Sequence, residues 1–438
     1  MRESRGQIAR GLIRFSLPLI MSGVLQQLYS WADAFIVGNV EGELALAAIG
    51  ATGSVVNFYL MAMTGFTLGL AILFARKYGS GETRDIPPIL ATFSTLLGVV
   101  FLVLAVAGMG LTAPLLRLMN TPEEALALSE AYLMLIFPGV PFLAVYNVYS
   151  AALRGIGDSR APFWSILVSS VVNVVLDVVF VAVLRWGVAG AAVATVIAQI
   201  AMTVFLVAYS VKIHPALRFP LSVRALSGSA LKEGMALGVP PMIQSSINAF
   251  GGLILQNFTN GFGTATVVAI STAYRVDSIV LLPIINLGSG ISTLAAQSHG
   301  AGDPRRARSI LGVGSWLMTA VSLSMTVLVV VAGGPLVSIF GVGAEALAIG
   351  KAFFIRLGTF YILFGLATAV RSYLEALGDV VYSSAAGILS LGVRIVMSYV
   401  LEPFFGNMVI AYAEAIAWGV MLLLYVLRLI WKERNAAE

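Results

Sequence analysis

The stretch "GLAILFARKYGSGE" at residues 69–82 decides the fold, because it returns as "GISTLAAQSHGAGD" at residues 290–303. In both copies an apolar run gives way to polar residues and then to a Gly-x-Gly-acid sequence. A second pair, "RGIGD" at 154–158 and "EALGD" at 375–379, has the same offset of 221 residues. A constant offset across widely separated motifs indicates internal duplication. The chain is therefore predicted to consist of two halves with one architecture.

The composition places both halves in a membrane. Of the 438 residues, 59% are hydrophobic and only 11% are charged, whereas a soluble domain carries about 25% charged residues. Twelve apolar segments reach the length of about 18 residues that a transmembrane helix needs. These segments are residues 12–38, 46–76, 88–113, 126–154, 161–184, 188–211, 234–260, 264–298, 308–332, 347–375, 381–404 and 408–431. The predicted fold is an all-α membrane protein of twelve transmembrane helices.

The spans divide into two sets of six at a polar segment. We predict an N-terminal lobe at residues 1–215, a cytoplasmic linker at 216–233 and a C-terminal lobe at 234–438. Because six is even, both halves enter from the same side, as parallel repeats about a pseudo-twofold axis along the membrane normal. Among basic residues outside the spans, only Arg117, Arg185 and Lys351 would be external, so both termini are predicted to be cytoplasmic.

Several function classes find no support in the sequence. There is no Cys, and the two histidines, His214 and His299, lie in polar segments, so no thiol nucleophile or His metal site is expected. No P-loop sequence is present, so energy must come from an ion gradient or a partner protein. The formal net charge of +5 is attributed to membrane topology and not to nucleic acid. Neither paired catalytic Asp motifs nor a Ser–His dyad indicate an intramembrane hydrolase. We therefore predict no enzyme activity and no cofactor.

Four acids fall inside predicted spans: Asp33, Asp177, Asp277 and Glu414. A carboxylate at the bilayer centre costs about 2.5–3.5 kcal/mol on insertion scales, so each is a functional candidate by default. Asp277 and Glu414 are expected to pair with arginines of the second half. Asp33 and Asp177 are the candidates for an ion site, and a structural hydrogen-bonded carboxylate is the alternative interpretation.

The spacing of polar residues assigns neighbours to these two acids. Gln26, Tyr29 and Asp33 lie at i, i+3 and i+7 on the first span, and Ser170, Asn173 and Asp177 repeat that spacing on the fifth. Thr195 lies on the sixth span among small residues that permit close helix packing. Asn147 lies on the fourth span. For Tyr29, Asn147 and Ser170, hydrogen bonding between helices is the favoured interpretation, because such side chains often join membrane helices.

The duplication does not explain this acidic set. With the offset of 221, Asn173 corresponds to Arg394 and Asp177 to Ser398. The second half instead has a basic character from Arg275, Arg356, Arg371 and Arg394. Proline is different, since Pro18 and Pro240 occupy nearly matching places in the first span of each half. Proline removes a helical hydrogen bond, so Pro18 is predicted to be a hinge.

Together these motifs resemble the multidrug and toxin extrusion (MATE) family of the flippase-like exporter superfamily. The motifs that carry the resemblance are "PLIMSGVLQQLYSWADAFIVG", "YGSGE", "RGIGDSRAPF", "NVVLD", "HGAGD" and "LGD". Their order and spacing extend over essentially the whole chain. Asn248 stands where one branch, the NorM type, has an acid on the seventh span. In this respect the chain resembles the DinF-type branch.

The resemblance implies two six-helix lobes around a central cleft and export of organic cations or amphipathic compounds in exchange for H⁺ or Na⁺. It implies a coupling-ion site, or Na⁺ ligand set, at Asp33, Asn173, Asp177 and Thr195. It implies substrate contacts at Gln26, Asn147 and Ser170, and Tyr29 shares the face of Gln26. We further expect a monomer in the plasma membrane, in contact with lipids.

Two carboxylates close together cannot both be ionised cheaply in a low dielectric. We therefore expect protonation or Na⁺ binding at Asp33 and Asp177 to discharge the site, bend the first span near Pro18 and release substrate outward. A cationic substrate then competes for the charged state. The alternative within the superfamily is a flippase for lipids or lipid-linked sugars, which would need a cleft lined with cations. Arg275, Arg356 and Arg394 keep that alternative open.

Overall fold

The computed structural model describes residues 4–119, 121–218 and 226–435, which form long helices with no β-strand among them. The helices are α1 (Arg5–Glu41), α2 (Glu43–Gly79), α3 (Ile86–Leu118), α4 (Glu123–Ile136), α5 (Val140–Gly155), α6 (Arg160–Asp177), α7 (Gly187–Ile213), α8 (Gly228–Asn260), α9 (Thr264–Val280), α10 (Leu282–Gly300), α11 (Pro304–Ser338), α12 (Ala344–Gly358), α13 (Tyr361–Ala376), α14 (Val380–Phe405) and α15 (Val409–Asn435). The prediction of an all-α protein is confirmed.

The spans agree with the twelve that the sequence predicts. By length and composition, eight helical stretches are apolar enough to cross a membrane, and two bent pairs pass the same test together. The bent pairs are α9 with α10, at 41°, and α12 with α13, at 48°. One of the eight stretches, Val380–Asn435, contains both α14 and α15. Counted separately, and with the 33-residue α8 added, these elements are consistent with twelve membrane helices.

The repeated motifs end helices at glycines with left-handed backbone. Gly81 and Gly302, from the two copies of the opening motif, have φ of 78° and 71°. Gly157 and Gly378, from the second motif pair, have φ of 96° and 85°. Only glycine adopts this conformation without steric cost. The duplicated sequence therefore encodes the same helix-terminating turns in both halves.

The helices pack into two compact units whose limits lie inside α1 and α8. The N-terminal unit is Met21–Gly238, and the C-terminal unit combines Met1–Ile20 with Val239–Glu438. The predicted halves, residues 1–215 and 234–438, follow the repeat in the sequence. The two units follow the contacts between helices, so their limits differ from those of the halves. Each unit contains the first part of the other half's initial helix. Part of the predicted linker 216–233, residues 219–225, lies outside the described residues.

The first parts of α1 and α8, which each pack in the unit of the other half, are called the exchanged segments. A glycine at the start of the repeated motif allows each of them to pack closely. Within the N-terminal unit, a Cβ on Gly69 of α2 would lie 2.0 Å from the carbonyl oxygen of Leu237, in the first part of α8. Within the C-terminal unit, a Cβ on Gly290 of α10 would lie 2.6 Å from the hydroxyl of Ser16, in the first part of α1. Gly69 and Gly290 are 221 residues apart, and so are Ser16 and Leu237. The two contacts are therefore related by the repeat offset. Close approach of helices at small residues is typical of membrane proteins.

The aspartates of the second motif pair, Asp158 and Asp379, bind side chains at the end of the last helix of each half, α7 and α15. Asp158 contacts His214 Nε2 at 2.9 Å and accepts a hydrogen bond from Tyr209 at 3.2 Å. Its counterpart Asp379 accepts hydrogen bonds from Arg428 at 2.6 and 3.1 Å and lies 3.3 Å from the Lys432 ammonium. Burial alone would raise the pKa of Asp379, but the Arg428 hydrogen bonds and the Lys432 charge outweigh it, so this pKa lies below its ordinary value.

Candidate functional site

The predicted ion-site residues all belong to the N-terminal unit and come from three helices. The second part of α1 carries Asp33, α6 carries Asn173 and Asp177, and α7 carries Thr195. Small residues of α7 bring it close to the turn Val178–Val183 that continues α6, so that a Cβ on Gly190 would lie 3.1 Å from Phe180. This close packing places Asn173 and Thr195 in contact across the two helices. The Asn173 amide donates to the Thr195 hydroxyl at 3.4 Å.

Asp33 and Asp177 face each other within hydrogen-bonding reach of their side chains. Asp177 is fully buried, with 0% exposure, and Asn173 is 2% exposed. Two carboxylates share a hydrogen bond only when one of them holds a proton, because an ionised carboxylate only accepts. The facing geometry therefore favours a state with a proton or another cation at the pair.

Four buried oxygens in this group have no hydrogen-bond donor among the described residues. They are Oδ1 of Asp33, both carboxylate oxygens of Asp177, and Oδ1 of Asn173. Buried polar atoms are normally satisfied, so such a concentration needs a reason. Oxygen atoms are the ligands that hard cations prefer. Together with the Thr195 hydroxyl, these atoms fit either a proton or Na⁺ chemically.

An apolar wall and a group of tyrosines surround the acids. Val37, Val181 and Val188 are buried in one hydrophobic cluster together with Tyr132. Tyr132 lies within electrostatic range of Asp33 and Asp177. The hydroxyl of Tyr59 on α2 is also buried and has no hydrogen-bond partner among the described residues.

The sequence prediction missed Tyr59 and Tyr132. Both lie outside the i, i+3, i+7 pattern, which links residues on one helix only. A usable signal existed in the repeat, because these positions correspond to Val280 and Phe353 in the second half. Like the acids, the two hydroxyls belong to the first half alone.

The predicted substrate residues differ in their placement. Tyr29 lies within electrostatic range of Asp33. The Ser170 hydroxyl donates to the carbonyl one turn earlier on α6, at 2.8 Å. The Asn147 amide does the same on α5 at 2.8 Å and also lies 3.1 Å from the Met63 sulfur. Gln26 is exposed. Of the four, Tyr29 is therefore the residue that the described structure places near an acid of the pair, Asp33.

The backbone next to the site is irregular. A π-helical turn, Val178–Val183, begins immediately after Asp177. Arg185, just beyond it, is the non-glycine residue with positive φ, 54°, within the described chain. π-Turns inside helices occur frequently at functional sites. Pro18, the predicted hinge, lies inside α1 two residues before the unit boundary at Ile20.

Of the two acids of the second half, one has the expected arginine partner and the other does not. Glu414 pairs with Arg394 at 2.8 Å, as predicted. The prediction of an arginine partner is wrong for Asp277, whose partner among the described residues is the Tyr361 hydroxyl. Arg275 is exposed on another face of α9, and the Arg394 guanidinium is already engaged by Glu414.

Comparisons with known proteins agree with this architecture. The MatE family model matches residues 18–179 and 240–400, two stretches offset by 222 and 221 residues. The chain is 29% identical to the "Probable multidrug resistance protein YoeA" of Bacillus subtilis, covering 99% of this chain and 96% of that protein. It is 24% identical to the "Multidrug export protein MepA" of Staphylococcus saprophyticus, covering 97% and 95%.

The fold matches that of a solved transporter over the full length. The crystal structure of a MATE protein in the bent conformation superimposes with a TM-score of 0.90 at 19% sequence identity, covering 100% of both chains. The family model accounts for well over half of the residues. The chain therefore belongs to the MatE family, the MATE transporters, and is a multi-pass membrane protein.

Proposed function

We propose that the protein is a secondary active multidrug efflux antiporter that exports cationic or amphipathic organic compounds in exchange for H⁺ or Na⁺. One observation carries the proposal: the facing Asp33–Asp177 pair, with its buried, donor-free oxygens, in a family whose relatives are named as multidrug exporters. We further propose a monomer in the plasma membrane with both termini cytoplasmic, surrounded by lipid, and a DinF-type branch, for which Asn248 on α8 is the supporting residue.

In this mechanism the acid pair alternates between a cationic substrate and the coupling ion. In the charged state, Asp33 and Asp177 attract an organic cation that enters from the cytoplasm. A proton, or Na⁺ held with Asn173 and Thr195, neutralises the pair and removes that attraction. Bending of α1 near Pro18 then expels the substrate outward. A ligand shifts the equilibrium only by its differential affinity for the two states, so ion and substrate must compete.

Of the three arginines that keep the flippase alternative open, one has a carboxylate partner among the described residues. Arg394 is neutralised by Glu414, Arg275 is exposed, and Arg356 donates to the Ala352 carbonyl on its own helix at 3.0 Å. A site for a lipid phosphate would need uncompensated cations converging on it.

Ethidium efflux from proteoliposomes tests the proposal, with pH and Na⁺ gradients imposed separately. We expect one of the two gradients to drive efflux, and Asp33→Asn with Asp177→Asn to abolish the coupling. Glu345→Gln, an exposed acid in the first turn of α12, is the matched control and should transport normally. Flipping of a fluorescent lipid without ethidium efflux would instead support the flippase.

A further inference from the structure

The C-terminal unit contains a second buried ionisable cluster, which the proposed transport mechanism does not use. Its members are Tyr274 and Asp277 of α9, Tyr361 of α13, Arg394 of α14 and Glu414 of α15. The Tyr361 hydroxyl donates to Asp277. Arg394 donates to the Tyr274 hydroxyl at 2.7 Å and to Glu414 at 2.8 Å, and Tyr274 also donates to Glu414 at 2.8 Å.

The cluster lies at the two broken helices of this unit. Asp277 is in the last turn of α9, and its carbonyl accepts from the Leu281 amide at the bend, at 2.9 Å. Tyr361 is the first residue of α13, directly after the second bend. The Asp277–Tyr361 hydrogen bond therefore joins both bends. In many transporters, discontinuous membrane helices form the ion sites, because their helix ends and unwound backbone carbonyls are available to coordinate the ion.

The charges in this cluster do not balance if every group ionises. Arg394 compensates one carboxylate, and its pairing with Glu414 leaves Asp277 in excess, at 3% exposure. Among the described residues, the Tyr361 hydroxyl, the Glu414 and Arg394 charges and the Tyr274 hydroxyl face Asp277, while the adjacent α12 contributes the aromatic ring of Phe353. An uncompensated buried carboxylate costs several kcal/mol. A proton on Asp277 removes this cost.

A metal cation fits this cluster less well than a proton does. Glu414 Oε2 already accepts two hydrogen bonds, and the Arg394 guanidinium repels a second cation. Arg394 also occupies the repeat position of Asn173, an ion-site residue of the other half. The two clusters thus lie at related places in the duplication, but the second contains its own permanent cation.

We propose that Asp277 is a second proton-binding site, which gains and loses one proton in each transport cycle independently of Asp33 and Asp177. With the proton bound, the cluster is neutral and the two bends are joined through Tyr361. Loss of the proton to water leaves one excess negative charge, which Arg394 is placed to share between Asp277 and Glu414. Movement of Arg394 toward Asp277 would then alter the Asp277–Tyr361 hydrogen bond that joins the two bends.

Infrared difference spectroscopy between acidic and neutral pH tests this site without any substrate, so the result does not depend on the efflux proposal. The protein is reconstituted in lipid as the Asp33→Asn, Asp177→Asn double variant, which removes the acids of the other site. We expect a carboxylic acid carbonyl band that appears at acidic pH and is lost when Asp277→Asn is added. Tyr361→Phe should shift the band, because the hydrogen bond is lost, and Glu345→Gln should leave it unchanged.

Three outcomes would overturn the proposal: no such band in the double variant, a band lost in Glu414→Gln but kept in Asp277→Asn, or a band displaced by Na⁺ at constant pH. Asp277→Glu is the control for misfolding of the Asp277→Asn variant. It keeps a carboxyl group, so it should show the carbonyl band at a shifted position. In transport measurements that resolve proton flux, Asp277→Asn should lower the number of protons exchanged per substrate by one. An unchanged proton count would likewise contradict the proposal.

Discussion

Gly69 and Gly290 occupy the same position in the repeat but face different atoms of the exchanged helix segments. A side chain at Gly69 would meet the backbone of Leu237, whereas one at Gly290 would meet the hydroxyl of Ser16. A backbone carbonyl cannot move aside cheaply, but a serine side chain can rotate or be removed. The same close helix contact therefore occurs in both halves, but a larger side chain is expected to be tolerated better at Gly290 than at Gly69.

We predict that Gly69→Ala destabilises the protein more than Gly290→Ala. Overpacking of a tight contact costs about 1–3 kcal/mol, and Gly69→Ala should lie at the upper end. Ser16→Ala should restore much of the stability lost in Gly290→Ala, because the next atom, of Leu12, is 3.5 Å away. Thermal unfolding in detergent measures all three variants. Strict additivity of the two substitutions at Gly290 and Ser16 would contradict this account.

At the ion site, we predict that Asp177→Asn and Asp33→Asn each abolish ion-coupled efflux and that the double variant is no worse. The pair acts as one unit, so removing either carboxyl removes the shared proton or cation. Efflux initial rates in proteoliposomes provide the measurement. Independent, multiplicative losses in the double variant would show that the two carboxyls work separately.

Thr195→Val should have a smaller effect than loss of either acid. It removes one oxygen and the 3.4 Å contact with Asn173, and side-chain hydrogen bonds between membrane helices contribute about 0.6 kcal/mol on average, roughly threefold in affinity. The concentration of coupling ion that gives half-maximal efflux should rise by about this factor. Thr203→Val is the control, since its hydroxyl donates to the Phe142 and Gln199 carbonyls and is not among the ion-site residues.

We predict that the Tyr59 hydroxyl contributes to transport and not to the thermal stability of the protein. A buried hydroxyl without a partner is costly, so Tyr59→Phe should leave thermal stability unchanged or raise it. If this hydroxyl helps to hold the ion or substrate, the same change should weaken their binding severalfold. Parallel stability and efflux measurements separate the two effects. Lower stability with normal efflux would identify Tyr59 as a structural residue.

The Asp379 contact with Arg428 predicts a defined pH dependence of stability. Because the folded-state pKa of Asp379 is depressed, its stabilising contribution is present above the unfolded pKa, about 3.9. That contribution is lost as the pH falls through the lower folded value. Asp379→Asn should therefore destabilise the protein by about 2 kcal/mol at neutral pH, and the difference should vanish in strong acid. A difference that persists at the acidic limit would contradict the prediction.

The sequence predicted what short-range patterns encode. The repeat offset paired the motifs that contain Gly81 and Gly302, and helical spacing placed Asn173 and Asp177 on one face of α6. The bend between α9 and α10 lies beside Pro283, a residue that disrupts helices. The bend before Tyr361 has no proline near it, and the local signal there is Gly358, the last residue of α12.

The remaining discrepancies have one physical origin. The Tyr361 partner of Asp277, the position of Tyr132 near the acid pair, and the segment exchange all depend on contacts between residues far apart in the chain. A single sequence records which residues share a helix face, but not which faces meet. The contrast between the two halves recovers part of this information, because positions that differ chemically between the copies mark where their roles diverged.

The exchange of helix segments also sets the order in which the protein can be completed during synthesis. The N-terminal unit ends at Gly238, so it stays unfinished until the ribosome has produced the first part of α8. The residues up to Ile20 leave the ribosome first, yet they must wait for α10 before they reach their packing partners. Until then, lipid or the insertion machinery must hold this arginine-bearing segment, and so becomes part of the assembly pathway of the transporter.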